Sequence, residues 1–283
     1  MLFFWGKQTA PTTNANPAAM TAAGNAPPMS NSAAIDSIIE KPIAIDFERL
    51  VGNLKDKIPN SQKEKIVAAE KKLTAAKQIP QRIEALTSLV KCWEDVRYWE
   101  IAALYQRQIA QTDSTKQHWQ QAAERLSTSF RISEDSLMQA YLLQKAVAAY
   151  QTLLKIDSTD TNAKINLAAC YIDGYPTLTP KVMQGVFILR EITQRDSTNI
   201  EANMVLARAA ITSGQYDRAL ERLQRVVRHD PQHAEAYYFM GEVYNALGNK
   251  EKSIEAFKEC KKTTKNPTFA AELDKIIKQL SNL

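Results

Sequence analysis

Glycine is scarce in this chain: eight residues in 283. A chain with so few tight turns and only weak strand signals is not a β-rich fold. Cysteine is scarcer still. Cys92, Cys170 and Cys260 are odd in number and sit at apolar positions. They read as buried thiols acting as small hydrophobes rather than as a disulfide framework. Histidine occurs only at 118, 229 and 233. His229 and His233 have the i, i+4 spacing of a metal pair, but Asp230-Pro231 lies between them at an expected helix end, so they should not share a face. There is no glycine-rich phosphate loop, no G-x-S-x-G and no H-E-x-x-H. Cys170 has apolar surroundings and no histidine nearby in sequence, which marks an inert thiol. Carboxylates are spread along the chain with no isolated pair. No constellation supports catalysis, and no metal, cofactor or small-molecule substrate is expected.

Long apolar runs are also absent. "MLFFWGK" at the start has four strongly apolar residues, Leu2 to Trp5, and ends at Lys7. A membrane helix needs about 20 apolar residues and a secretory core at least about 7. Trp-Gly-Lys is the edge expected where a span leaves a bilayer. Residues 1–7 therefore read as the remnant of a membrane anchor. The alternatives are an interfacial aromatic anchor and an ordinary frayed terminus. Residues 8–35 carry no charge at all and are rich in Ala, Pro, Asn and Thr. They read as a flexible linker, continuing to 45, with a mean span of roughly 30 Å. The formal net charge is +5, with basic and acidic residues interspersed, so no nucleic-acid footprint is present. One local run, Arg218, Arg222, Arg225 and Arg228, suggests either an anion site or a solvated helix face. The Glu221–Arg225 pair at i, i+4 favours the solvated face.

What is present is repetition. The tripeptide Asp-Ser-Thr occurs at 113, 157 and 196, and Asp230 stands in the same setting. Eleven residues before each aspartate is something small: Ala102, Ala146, Gly185, Ala219. Four before is an aliphatic residue: Ile109, Leu153, Ile192, Val226. These spacings share one helical face, so each aspartate marks the end of a helix built repeatedly. Gly214 and Gly248 align at a spacing of 34, as do Leu206 with Met240 and Leu223 with Phe257. Small residues at Val90, Ala123, Ala168, Ala207 and Gly241 would let each helix cross closely over its mate at Ala102, Ala146, Gly185, Ala219 and Ser253.

Tyr237-x-x-Met240-Gly241-x-x-Tyr244, followed by Gly248, Ser253 and Phe257, resembles the tetratricopeptide repeat, with its 34-residue period and W-x2-L-G-x2-Y signature. The resemblance covers about two thirds of the chain. It implies an all-α, right-handed superhelical solenoid of helix-turn-helix repeats over 83–267, in five units: about 83–115, 116–160, 161–199, 200–233 and 234–267. The first unit is degenerate, with Gln106 where a large apolar residue is expected. The second has about ten extra residues, expected as longer helices through Phe130–Leu142, and the third about five extra around 174–180. N-terminal helices are expected within 46–82, from Phe47, Leu50, Val51, Leu54 and Ile58 and then Ile66, Ala69 and Leu73. A capping helix is expected over 268–283, starting after Asn266-Pro267, with a stripe of Phe269, Leu273, Ile276, Ile277 and Leu280.

The resemblance further implies a non-catalytic protein-interaction scaffold of the bacterial, membrane-tethered kind, with its partner in a concave groove lined by the leading helix of each repeat. Carried over by position, that groove presents Asn162, Ile165, Ala169 and Ile172. The next repeat offers Glu201, Met204, Arg208, Ile211 and Thr212, and the last Glu235, Tyr238, Glu242 and Asn245. Tyr237 would take the packing place of the repeat's tryptophan, leaving Tyr238 to the groove. The competing reading is that these residues are merely solvated or covered by the N-terminal helices. The Lys and Asn clamp of carboxylate-binding co-chaperones is missing: those positions carry Ile165, Met204 and Tyr238, then Ala169, Arg208 and Glu242. A cytosolic co-chaperone is thereby disfavoured. A structural subunit that self-assembles through its N-terminal helices stays open. The expected location is the cell envelope, with the repeats outside the cytoplasm, the alternative being cytoplasmic. Nothing in the sequence names the partner.

Overall fold

In the computed structural model the described residues are 42–175 and 179–282, and every regular element among them is an α-helix. The apolar stub, most of the linker and the middle of the 174–180 insertion lie outside the described residues. In chain order the helices are α1 (Phe47–Lys55), α2 (Asn60–Ala75), α3 (Ile79–Asp95), α4 (Trp99–Thr112), α5 (Lys116–Ile132) and α6 (Ser136–Ile156). They continue as α7 (Thr161–Gly174), α8 (Pro180–Arg195), α9 (Ile200–Thr212), α10 (Tyr216–His229), α11 (Ala234–Ala246), α12 (Lys250–Thr263) and α13 (Pro267–Ser281). The chain divides into two compact units, one ending at Ala146 and the other beginning at Val147, so the boundary falls inside α6.

The recurring aspartates close one helix and open the next. Asp113, Asp157, Asp196 and Asp230 each donate a backbone N–H to the carbonyl four residues back, at Ile109, Leu153, Ile192 and Val226. In the last three copies the carboxylate then accepts the N–H two residues on, from Thr159, Thr198 and Gln232, each at 3.0 Å. Thr159 and Thr198 add their hydroxyls to the same oxygens. These turns deliver Asp160, Asn199 and His233 to the cap of the next helix, where they accept from Ala163, Ala202 and Ala236. The first copy differs. Thr115 itself caps α5, accepting from His118 N–H at 3.2 Å, so that helix starts a residue sooner.

Within the pairs, α9–α10 and α11–α12 turn on Gly214 (φ 72°) and Gly248 (φ 75°). Gln215 and Asn249 reach back to the carbonyls of Ala210 and Tyr244 at 2.8 and 2.9 Å, the wide bond of a left-handed helix cap. The α3–α4 turn makes the equivalent Tyr98-to-Trp93 bond at 3.0 Å, but puts Arg97 in the left-handed position with φ 63°. That first pair begins at Ile79, ahead of the expected 83, because Pro80 suits a helix first turn.

The first unit packs Val51, Ile66, Leu86, Leu89, Trp93, Ile101, Tyr105 and Ile109 into one core, with Phe47, Leu50 and Leu54 against it. α1 ends at Lys55, so Ile58 joins this core from the following turn rather than from the helix. Gln106, the polar misfit of the first repeat, is buried and donates to Gln121 Oε1 at 3.2 Å. Its polar group is thereby matched rather than orphaned. Ion pairs tie α1 to α2 (Lys55–Glu70, 2.8 Å) and α3 to α5 (Glu94–Arg125). Residues 42–45, assigned to the linker, are held at Ile43, whose N–H donates to Gln144 Oε1 at 3.0 Å. Otherwise that backbone donor would go unpaired. The extra residues of the second repeat lengthen helices: α5 has 17 and α6 has 21, against 13 and 14 in α11 and α12.

The second unit is a succession of small cores. Ile165, Ala168 and Ala169 of α7 meet Leu189 of α8 and Ala202, Val205 and Leu206 of α9. Met204 and Ala207 of α9 then meet Leu223 and Val226 of α10 and Ala236 of α11. Finally Tyr237 and Tyr238 of α11 meet Phe257 and Cys260 of α12, and Phe269, Leu273, Ile276, Ile277 and Leu280 of α13. Each core is built from one helix pair and the next leading helix, because a single pair cannot bury its own apolar face. α13 begins at Pro267, with Asn266 Oδ1 accepting from Thr268 and Phe269, and Lys261–Asp274 (2.6 Å) pins it to α12.

Candidate binding face

The leading helices α7, α9 and α11 of the second unit carry every residue expected in the groove. Their backs are consumed by close crossings. A methyl group at Gly185 would stand 2.8 Å from the carbonyl oxygen of Ala168, and one at Gly241 would stand 2.6 Å from the Phe257 ring. Ser253, fully buried, donates to the carbonyl of Gly241 at 2.9 Å. What remains of each leading helix is the side turned from its mate.

On that side, Asn162, Glu201, Thr212, Glu242 and Asn245 are exposed, and Arg208, Ile211 and Glu235 are half-buried. Ile172 is half-buried too, but at the crossing with the mate: its Cγ1 would stand 3.2 Å from a methyl at Gly185 and it packs on the α7–α8–α9 core, so the expectation that it lines the row fails. Arg208 reaches across from α9 to Asp173 of α7, with Nη2 3.1 Å from Oδ2. Its charge is therefore already matched. Glu201, Glu235 and Glu242 make no ion pair among the described residues, so the row is net acidic.

Four further expectations fail here. Ile165, Ala169 and Met204 do not line a surface: they are 1, 3 and 4% exposed and belong to the packed cores. The short Ala202 and Ala236 of the following leading helices allow a close approach that covers them. Tyr238 is not a free groove aromatic either. Its ring lies 5.7 Å from Phe257 and 5.6 Å from Phe269, both in tilted contact. Burial, with Glu242, Cys260 and Glu272 nearby, pushes its phenol up to about 12. Tyr237 and Tyr238 share one core instead of dividing packing from binding. They do so because α13 brings Phe269 against the α11 face that would otherwise be open.

The arginine run is only partly a solvated face. Arg225 pairs with Glu221 at 2.5 Å and Arg218 donates to Gln215. Arg222 instead turns inward and donates to Asn203 Oδ1 at 3.1 Å. Asn203 is 1% exposed and donates from Nδ2 to the carbonyls of Ser197 and Asn199. Burial, then Arg225, depress the Arg222 pKa, with Arg190 adding to the effect. Asn203 escaped the sequence reading, since an asparagine inside a leading helix carries no signal until its neighbours are placed. Cys170 and Cys260 are buried and Cys92 is half-buried. Burial drives the Cys260 thiol up to about 12. No helix among the described residues is long and apolar enough to cross a membrane.

Helix pairs closed at Asp, opened at a cap three residues on and stacked through small-residue crossings define a class, the helical repeat. Residues 204–267 match the family model described as tetratricopeptide repeat, and the chain is a tetratricopeptide-repeat protein in fold. The solved structure of TTC0263, described as a thermophilic TPR protein in Thermus thermophilus, shares 10% identity. It covers 71% of this chain and 100% of that one, with a TM-score of 0.53. A MamA crystal structure shares 24% identity over 56% of this chain and 85% of that one, with a TM-score of 0.41. YrrB, described as a TPR protein with an unusual peptide-binding site, shares 16% identity over 70% and 98%, with a TM-score of 0.43. No curated protein matches the chain.

Proposed function

We propose that this protein is a non-catalytic scaffold that holds a peptide or protein segment along the α7–α9–α11 row of its second unit. The tetratricopeptide repeat is in general a protein-interaction fold, and a function taken from fold alone is an analogy. One observation supports the reading beyond analogy: the α7–α9–α11 row leaves Asn162, Glu201 and Asn245 exposed and Ile211 and Glu235 half-exposed, while the opposite sides of α7 and α11 are packed without space. Mixed apolar and polar groups along stacked helices suit an extended or helical segment. The binding residues are Asn162, Glu201, Arg208, Ile211, Glu235, Glu242 and Asn245. The apolar Leu2–Trp5 stub and the uncharged linker support tethering at a membrane, with the repeats in the cell envelope. The test captures partners from native membrane extract with wild type and with Ile211→Asp, alongside a melt of each. Loss of a partner with an unchanged melt supports the row. Identical capture, or unfolding of the variant, removes it.

A further inference from the structure

The trailing helices of the second unit carry a surface that the scaffold reading leaves unused. On α8, Met183, Phe187 and Arg190 follow one another at i, i+4 and i+7, a single face. Phe187 is 69% exposed, more than any other large apolar side chain among the described residues, and Met183 is 54% exposed. They project from a helix surface, one turn apart.

Basic groups accompany them. Arg190 is exposed on the same face of α8 as Phe187, within electrostatic reach of Arg222 of α10. A shallow depression next to them is lined by Ser197, Arg225, Arg228 and His229. Two pairs cancel, Glu191 with Arg195 at 2.6 Å and Glu221 with Arg225 at 2.5 Å. Among the described residues Arg190, Arg218 and Arg228 have no carboxylate partner: Arg218 donates to Gln215 and Arg228 to the Gln224 carbonyl, while Arg222 is held inward by Asn203. On α10 Asp217 alone stands against them as an exposed acid without an ion pair.

We propose that this α8–α10 flank docks on an anionic lipid surface, Phe187 and Met183 entering the headgroup layer and the arginines meeting the phosphates. Exposed apolar side chains beside uncompensated cations are the signature of an interfacial helix. A lipid layer yields to a projecting Phe187 wherever it lands, whereas an acidic protein would need a matching socket. The inference is independent of the peptide row, since it uses the opposite helix of each pair. It is also independent of the N-terminal stub, which the test removes.

The experiment is sedimentation of the full chain, with Leu2, Phe3, Phe4 and Trp5 replaced by serine, against vesicles of phosphatidylglycerol mixed with phosphatidylcholine and of phosphatidylcholine alone. Binding is expected to the mixed vesicles only, and to weaken as salt rises above about 0.1 M. Arg190→Glu with Arg218→Glu and Arg228→Glu should lower partitioning at least tenfold, since each basic residue near such a surface adds roughly fivefold. Met183→Ser with Phe187→Ser should lower it severalfold at constant charge. All five positions are exposed, and a circular-dichroism melt of each variant checks that the fold is kept. Unaltered partitioning in both variants, or no binding by the serine-substituted chain, overturns the proposal. So does equal binding of soluble polyglutamate that the Phe187→Ser change leaves untouched, which would assign the flank to an acidic protein.

Discussion

Asp157, Asp196 and Asp230 show how much a single residue type does here. Each ends one helix through its backbone and positions the next cap through its carboxylate, which is why the chain returns to the same tripeptide. Arg97 shows the opposite case. It occupies the left-handed position that glycine holds in the α9–α10 and α11–α12 turns, a conformation costing a side-chain-bearing residue roughly 1 kcal/mol or more. Arg97→Gly is therefore expected to raise stability by about 1 kcal/mol, read as a higher denaturation midpoint; a lower midpoint would mean the arginine side chain matters more than its backbone. Tyr238 and Cys260 both favour their neutral forms in the fold, with values raised from 10 and 9 to about 12. Their contribution is complete below about pH 9 and is lost as pH climbs towards 12. Melts from pH 7.5 to 11 should fall more steeply for wild type than for Tyr238→Phe, and matching slopes would remove Tyr238 as a cause. Tyr238→Ala should cost about 2 kcal/mol or more, since it takes a ring from between Phe257 and Phe269.

At the scale of the element, the close crossings decide the packing. Gly185→Ala should gain roughly 1 kcal/mol of helix propensity, yet its methyl would meet the Ala168 carbonyl at 2.8 Å. That contact is with backbone, which cannot swing aside. Overpacking of this kind costs typically about 1–3 kcal/mol, so the net effect expected is a lower melting temperature. A higher one would show that α7 and α8 can separate freely. Ala219→Leu, at the fully buried α10 crossing, should lose a similar amount. These elements were legible because their signals are local: glycine at 214 and 248, Asn266 before Pro267, small residues at 185 and 219. The binding row was less legible. Whether Met204 lines a surface depends on Ala236 being small on a helix 32 residues away, and Tyr238's role depends on α13 supplying Phe269. Phe187 and Met183 carry no signal of their exposure in the sequence, since apolar residues at helical spacing ordinarily belong to a core and here are not covered.

At the scale of the molecule, the all-α class and the repeat architecture follow from a periodicity that the chain states several times over. The division into two units inside α6 does not, because Ser136–Ile156 is one uninterrupted helix and its sequence carries no boundary signal. The scaffold reading rests on one claim, that the leading helices of the second unit keep a row open for a partner while their backs are spent on packing. The measurement that tests it most directly is partner capture from native extract by Ile211→Asp and Glu235→Arg, set beside Phe187→Ser as a control on the opposite flank. The account expects both row variants to lose a captured protein that wild type and Phe187→Ser retain, with a melt of each variant confirming that it stays folded. Retention of every partner by both folded row variants would contradict it.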